Sequence, residues 1–293
     1  MSQFSTLQHE ADGLSAGLPP LMVQADHLAA SVSLGVHGRR RAGIGESFWQ
    51  FRRYASHDSS SAIDWRQSAK SQHIFVRERE WEAAQTVWFW RDASANMRFK
   101  SGQVTKRDRA DLLLLALASL LVRGGERVGF IGMEGAATAS RQALTRIGRA
   151  MFAASSAALP PPAPFKCGNQ LVWFSDFLED GVFDAMKQLS RLGVAGHLVR
   201  IVDPAEEDFP YTGRARFQMP APANTGKQDD ILLGRAESVG DAYRARFRAH
   251  GEAIAQAATR LGWTATVHRT DHAPLTALLA LHAAIGQSSR EQS

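Results

Sequence analysis

From Thr86 onward the chain alternates short, nearly continuous apolar runs with longer stretches of helical periodicity. TVWFWRDAS is a β-branched and aromatic run of the kind that forms a strand covered on both faces. Lys106–Arg123 is predicted helical and is stopped by Gly124-Gly125. The same alternation gives strands at Arg127–Met133 (RVGFIGM), Leu171–Phe177 (LVWFSDF), His197–Pro204 (HLVRIVDP) and Thr264–Thr270 (TATVHRT). Between and after them it gives helices at Arg141–Ser155, Gly181–Leu192, Asp241–Leu261 and Pro274–Ile285. Apolar strands separated by helices predict an α/β fold: a doubly wound, mostly parallel sheet joined by right-handed crossovers. The segment from Pro204 to about Gly234 reads as polar and rich in proline and glycine.

The first 84 residues follow a different pattern. After Pro19-Pro20, LMVQADHLAASVSLG predicts a short amphipathic helix ending near Gly35. Two extended candidates follow, Ser47–Tyr54 and His73–Arg79, separated by the polar loop His57–Ser61. The predicted organisation is a basic N-terminal extension over residues 1–84, the α/β domain over 85–287 and a tail over 288–293. The longest apolar run, Leu112–Val122, is broken only by Ser119 and falls short of the ~20 residues that span a bilayer. It predicts a core helix. The opening residues lack the basic and apolar regions of a signal peptide.

Composition narrows the function classes. Of 293 residues, 44% are hydrophobic and 22% charged, which excludes a wholly disordered or fibrous chain. The lone cysteine, Cys167, excludes a disulfide scaffold and fits a reducing, cytoplasmic setting; it has no histidine partner in motif context and reads as inert. The net charge of +5 is concentrated between His37 and Glu80, where nine Lys/Arg face five Asp/Glu. Such a segment suits an anionic partner or a self-paired, solvated surface.

In a doubly wound sheet, ligands bind beyond the carboxyl ends of the strands. Two acids are expected there: Asp92, in the sequence Asp92-Ala93-Ser94-Ala95-Asn96, and Asp176, which ends the run Phe174-Ser175-Asp176. If their strands are neighbours, the two carboxylates converge, and the oxygens of Ser94 and Asn96 join them in a hard-ligand set suited to Mg²⁺, Mn²⁺ or Ca²⁺. The alternative is that Asp92 and Ser94 only order a strand-to-helix loop. His268 and His272 have the i, i+4 spacing of zinc ligands but straddle a strand end and a helix start, with Asp271 a plausible helix cap. Gly43-Ile44-Gly45 lacks the strand–turn–helix setting of a nucleotide loop, and neither a P-loop nor a G-x-S-x-G motif occurs. In the segment Ile63-Asp64-Trp65-Arg66, an extended chain would put Asp64 and Arg66 on one face and Trp65 on the other. Trp65 would then anchor to the core, and Arg66 would pair with Glu78 or Glu80.

Between Gly38 and Pro210 these segments form a series: GIGESFWQFRRY (with Arg52, Arg53 and Tyr54), AIDWRQSAK (with Asp64, Trp65 and Arg66), VRERE, DASANM, SDF and VDP. The series resembles the bacterial "domain of unknown function 58" family, whose core is similar to von Willebrand factor type A domains. The resemblance implies a metal-ion-dependent adhesion site. Asp92 and Ser94 match its first two positions, Asn96 stands where the third is serine, and Asp176 matches the later aspartate. Its threonine has only Thr138 and Thr145 as candidates. Sites of this kind bind a partner whose acidic group completes the coordination of a divalent cation, and members are often encoded beside MoxR-type AAA+ ATPases. The resemblance therefore implies a non-catalytic adaptor or partner of such an ATPase. Two alternatives stay open: a metal-dependent hydrolase at the same carboxylates, and nucleic-acid binding through Arg39–Arg41, Arg52, Arg53 and the aromatics Phe48, Trp49 and Phe51.

Overall fold

A computed structural model describes residues 19–32, 48–55, 59–79, 84–153, 157–218 and 230–291. The chain divides into two compact units: residues 36–84, and residues 1–35 together with 85–293.

The larger unit is built on a five-stranded sheet, ordered β4-β3-β5-β6-β9, with every neighbouring pair parallel. Its strands are β3 (Thr86–Arg91), β4 (Arg127–Phe130), β5 (Gln170–Ser175), β6 (Ala195–Val202) and β9 (Thr264–Arg269). The three inner strands are almost wholly buried, which is why they read as continuous apolar runs rather than alternating ones. Helix α3 (Lys106–Arg123) contacts α4 (Gln142–Ala153) and α8 (Pro274–Glu291), while α5 (Val182–Arg191) contacts α7 (Glu237–Arg260). The expected doubly wound α/β sheet is therefore what the chain forms. The apolar run Leu113–Leu121 lies at the centre of α3, buried on every side. Among the described residues, no helix is long and apolar enough to cross a membrane.

Several boundaries differ from the sequence reading. The first helix, α1, occupies residues 19–32, with both prolines inside its first turn, where a missing N–H costs nothing. Ala25, Ala29 and Val32 of α1 join the core of the sheet unit, and Asp26 accepts a 2.7 Å hydrogen bond from Ser119 of α3. The helix thus groups with the sheet unit and not with the basic segment. Pro204 does end strand β6, but it also opens a short helix, α6 (Pro204–Asp208). Here Asp203 caps Ala205 N and Glu206 reaches back to Asp203 N. The polar, Pro- and Gly-rich stretch, for which the sequence predicts no strand, also contains an antiparallel pair, β7 (Ala215–Gln218) and β8 (Asp230–Leu233). Its faces are mostly exposed, so it lacks the apolar runs that reveal core strands.

The junction of β6 and β9 depends on one missing side chain. A Cβ at Gly196 would fall 2.1 Å from the ring of Trp263, which is buried and donates from Nε1 to Val194 O at 3.0 Å. Gly196→Ala is expected to lower stability by about 2 kcal/mol, because the anchored indole cannot yield. A shifted urea midpoint at unchanged slope would report it.

In the smaller unit, β1 (Phe48–Arg53) pairs antiparallel with β2 (Phe75–Arg79). Between them lie a 3₁₀ turn, Ser60–Ala62, and a short helix, α2 (Trp65–Ser68).

Candidate functional site

The carboxyl ends of β3, β5, β6 and β9 carry Asp92, Asp176, Asp203 and Thr270, and the backbone keeps these ends aligned. Asp92 N donates to Phe174 O at 2.9 Å, and Thr270 N to Val202 O at 2.9 Å. Asp92 is fully buried. Its Oδ1 accepts from Ser94 N at 2.8 Å and its Oδ2 from Ser175 Oγ at 2.6 Å. Burial, and then the nearby charge of Asp176, raise its pKa to about 6, against the opposing hydrogen bonds from Ser175 and Ser94. The structure thus brings Asp92 and Asp176 into one electrostatic neighbourhood, as their positions on adjacent strands require.

What meets Asp176 was not anticipated. Lys106, the first residue of α3, is 0% exposed and lies in the same cup. Its Nζ is 2.8 Å from Asp176 Oδ2 and 2.5 Å from Glu206 Oε1. Burial acts to push the ammonium pKa down, but Asp176 and Glu206 more than offset this, and the net shift is upward. Asp176 Oδ1 accepts from Leu178 N at 3.1 Å, and Glu206 Oε2 accepts from Asp203 N at 3.1 Å. Asp203 ties the rim together further: it accepts from Ser101 N at 2.9 Å, from the Ser101 hydroxyl, from Ala205 N and from Thr270 Oγ1. Five segments are therefore cross-linked through buried charge: the loop after β3, the start of α3, and the ends of β5, β6 and β9.

The backbone carries strain beside this cup. Phe177, directly after Asp176, is fully buried in the left-handed region at φ 58°, and Phe209 adopts φ 45°. A bulky residue holds such a conformation only when its surroundings impose it, and such residues cluster at functional sites. Phe177 packs edge-on against Trp173, with ring centroids 5.3 Å apart, and its carbonyl accepts from His250 Nε2 at 2.8 Å. Arg200, also buried, places its guanidinium 4.3 Å from the Phe247 ring centroid.

Two large apolar side chains at this rim face solvent. Phe99 is 38% exposed and Leu178 is 43% exposed. Each is bonded through its backbone to one half of the ion pair: Lys106 N donates to Phe99 O at 3.2 Å, and Leu178 N donates to Asp176 Oδ1.

The remaining expectations fare unevenly. Ser94 is placed beside Asp92 through its backbone. Asn96 is half-buried in the 3₁₀ turn Ala95–Arg98, and its carbonyl accepts from Phe99 N. Neither threonine candidate reaches the cup. Thr138 bridges to Val128, opposite Val87 at the far end of β3 from Asp92, and Thr145 lies within α4. His268 is buried in β9, where burial and then Arg109 lower its pKa to about 4; His272 is exposed, and Asp271 binds Arg269 rather than capping a helix. Among the described residues, no group of three or more His, Cys, Asp or Glu is placed to hold a metal ion. The donor set at Asp92 and Asp176 does not fit a divalent cation while the Lys106 ammonium lies among these carboxylates. All four oxygens of the two aspartates already accept from protein donors.

The Ile63-Asp64-Trp65-Arg66 segment is extended only through Ile63 and Asp64, and turns helical at Trp65. Asp64 Oδ1 accepts from Gln67 N at 2.9 Å and starts α2 at Trp65, which swings the indole outward to 66% exposure. Asp64 N donates to Phe75 O, and Ser68 Oγ accepts from Phe75 N, so the segment is stapled to β2 by hydrogen bonds, not by a buried tryptophan. Arg53, Tyr54 and Arg66 are exposed. Arg39, Arg40 and Arg41 lie outside the described residues, as do the side chains of Phe48, Trp49, Phe51, Arg52, Glu78 and Glu80.

Glu206, Lys106, Arg200 and Asp203 were missed by sequence reasoning. For Glu206 a signal existed, since Asp203-Pro204-Ala205-Glu206 has the spacing of a capping box with proline at the first helical position. For Lys106 there was none beyond the helix start. An amphipathic lysine in a first turn reads as solvated.

Comparison with known proteins gives the family. A family model described as "Protein of unknown function DUF58" matches residues 50–253. The uncharacterized proteins Mb1516 of Mycobacterium bovis and Rv1480 of Mycobacterium tuberculosis are each 25% identical over 224 residues, covering 70% of this chain and 70% of theirs. Among solved structures, the conserved hypothetical protein BatB from Bacteroides thetaiotaomicron is 14% identical at a TM-score of 0.38, covering 71% of this chain and 100% of that one. An aerotolerance-related membrane protein from Bacteroides fragilis is 15% identical at a TM-score of 0.36, covering 70% and 100%.

Proposed function

Because the chain belongs to the DUF58 family of proteins of unknown function, we propose that it is a non-catalytic protein-interaction module whose docking surface is the strand rim around Asp176 and Lys106. The carrying observation is that Phe99 and Leu178 are exposed while their backbones are hydrogen-bonded to the two residues of one buried ion pair. Large apolar side chains gain most by burial at an interface, and anchors work best when they are pre-organised, so that little entropy is lost on binding. The cross-linked carboxylates beneath them supply that rigidity. A MoxR-type AAA+ ATPase is the partner class the family resemblance implies, in a cytoplasmic setting. Docking through the apolar flanks fits this rim better than capture of a partner's carboxylate by a bound cation, because the ammonium in the cup is wholly enclosed.

The test is capture of a MoxR-type ATPase by the immobilised protein. Phe99→Ser with Leu178→Ser is expected to weaken binding at least tenfold while leaving the thermal midpoint within about 2 °C, since both residues are already partly solvated. Undiminished capture by the double variant would move the interface elsewhere. Turnover of a generic phosphoester with Mg²⁺ or Mn²⁺ would replace the module reading with an enzyme.

A further inference from the structure

The rim gathers buried carboxylates and, between two of them, a side chain that a cation site has no reason to hold. We infer that Lys106 is the resident cation of this cup: its ammonium takes the place of a divalent ion, so the site is complete without metal, and removing the lysine side chain creates a metal site. The inference concerns the same rim as the docking reading, but it stands on the cup alone.

Three observations carry it. The first is position. Lys106 Nζ bridges Asp176 Oδ2 and Glu206 Oε1 at 2.8 and 2.5 Å in two charge-assisted hydrogen bonds, so one cation sits between two carboxylates. The second is fixity. The side chain starts from a helix end that cannot drift: Thr105 and Asp108 form a reciprocal capping box around it, and its own N–H is bound to Phe99 O. The third is charge. Asp92, Asp176 and Glu206 are all buried or nearly so, and Asp203 lies behind Glu206. Of the neighbouring cations, Lys106 binds two of these acids directly, whereas Arg200 acts on Asp176 and Glu206 only through its charge.

The chemistry then follows. An ammonium has three donors and one unit of charge, so it balances part of the acidic cup and binds oxygens in directed hydrogen bonds. Without it, at least two carboxylates point into a vacated, enclosed volume. Uncompensated buried charge is strongly unfavourable. A hard divalent ion that prefers oxygen ligands relieves that repulsion in the space the butylammonium chain leaves.

The experiment compares the full-length wild type with Lys106→Ala, using Mn²⁺ alone as the probe. Binding is read by calorimetry and by the loss of the free-ion electron paramagnetic resonance signal, and the thermal midpoint is followed in parallel. The wild type is expected to bind no stoichiometric Mn²⁺ up to about 1 mM and to shift by less than about 1 °C. Lys106→Ala is expected to bind close to one equivalent and to gain about 5 °C or more at saturating ion. Adding Asp176→Asn to Lys106→Ala is expected to abolish that gain. If Lys106→Ala does not fold, Lys106→Ser serves as the second variant, since it removes the charge and the long chain but keeps a small hydrogen-bonding group. One equivalent of Mn²⁺ in the wild type overturns the inference, as does a folded Lys106 variant indifferent to the ion. None of these readouts involves the partner, so failure of the docking reading leaves them unaffected, and the converse also holds.

Discussion

Replacing Arg91 by Met is expected to destabilise the protein by about 3–5 kcal/mol, the cost of leaving a buried charge without its counter-ion. Arg91 is fully enclosed, and its Nε lies 2.8 Å from Oδ1 of Asp111, which is itself buried in α3. The attraction of opposite charges is the larger part of the pair, and a side-chain hydrogen bond adds to it. The guanidinium also donates to Met151 O of α4 at 2.6 Å and to Asp92 O at 3.3 Å. One side chain therefore ties the last residue of β3 to two helices, just where the site loop departs. With Met at 91, Asp111 keeps only Arg107, at 3.9 Å and partly exposed. Burial already raises the Asp111 pKa, and Arg91 opposes that rise. The double variant Arg91→Met/Asp111→Leu is expected to recover most of the loss, because it leaves no buried charge unpaired. Urea unfolding of the two single variants and the double variant would check this. Additive losses would mean that the two side chains act independently.

Asp92→Asn is expected to stabilise the protein at pH 7.5 by roughly 3 kcal/mol, a gain that vanishes near pH 4. In the fold this carboxyl keeps its proton until about pH 6, against an ordinary value of 3.8. Between those values the folded state binds more protons than the unfolded chain, so stability falls as pH rises through the window. Above pH 6 the full cost is present, at about 1.4 kcal/mol per pH unit of difference. Asparagine removes the charge, can still accept from Ser94 N, and can donate to Ser175 Oγ. Because Asp176 contributes to the shift, part of the effect belongs to the pair. The check is the urea midpoint of variant and wild type at pH 4, 5, 6 and 7.5. A variant less stable than wild type at pH 7.5 would mean that the ionised carboxylate is compensated, not strained.

Both results bear on why Asp92 stands where it does. Lys106 is committed to Asp176 and Glu206, which leaves Asp92 buried beside a like charge. The left-handed Phe177 adds backbone strain beside it.

Much of this was legible in the linear chain. Strands buried on both faces advertise themselves as LVWFS or TVWFW, because parallel strands have no polar side to expose. Once β3 and β5 were expected, Asp92 and Asp176 followed as residues at their carboxyl ends. Trp65 was misjudged because an aromatic next to Asp64 was read by strand alternation, whereas the aspartate caps a helix and turns the indole to solvent. The hairpin β7–β8 was missed because its faces are mostly solvated.

The order of residues determined the α/β class, the main strands and helices, and the two acids at the sheet edge, since each depends on local periodicity and on the carboxyl-end rule for such sheets. Only tertiary packing decided what neutralises Asp176 and leaves Asp92 without a cation. Lys106 precedes Asp176 by seventy residues and Glu206 by a hundred, and no local pattern distinguishes a lysine that will be swallowed by a charged cup from one that will remain in water. That outcome is set by electrostatics among segments that meet only after the sheet has closed.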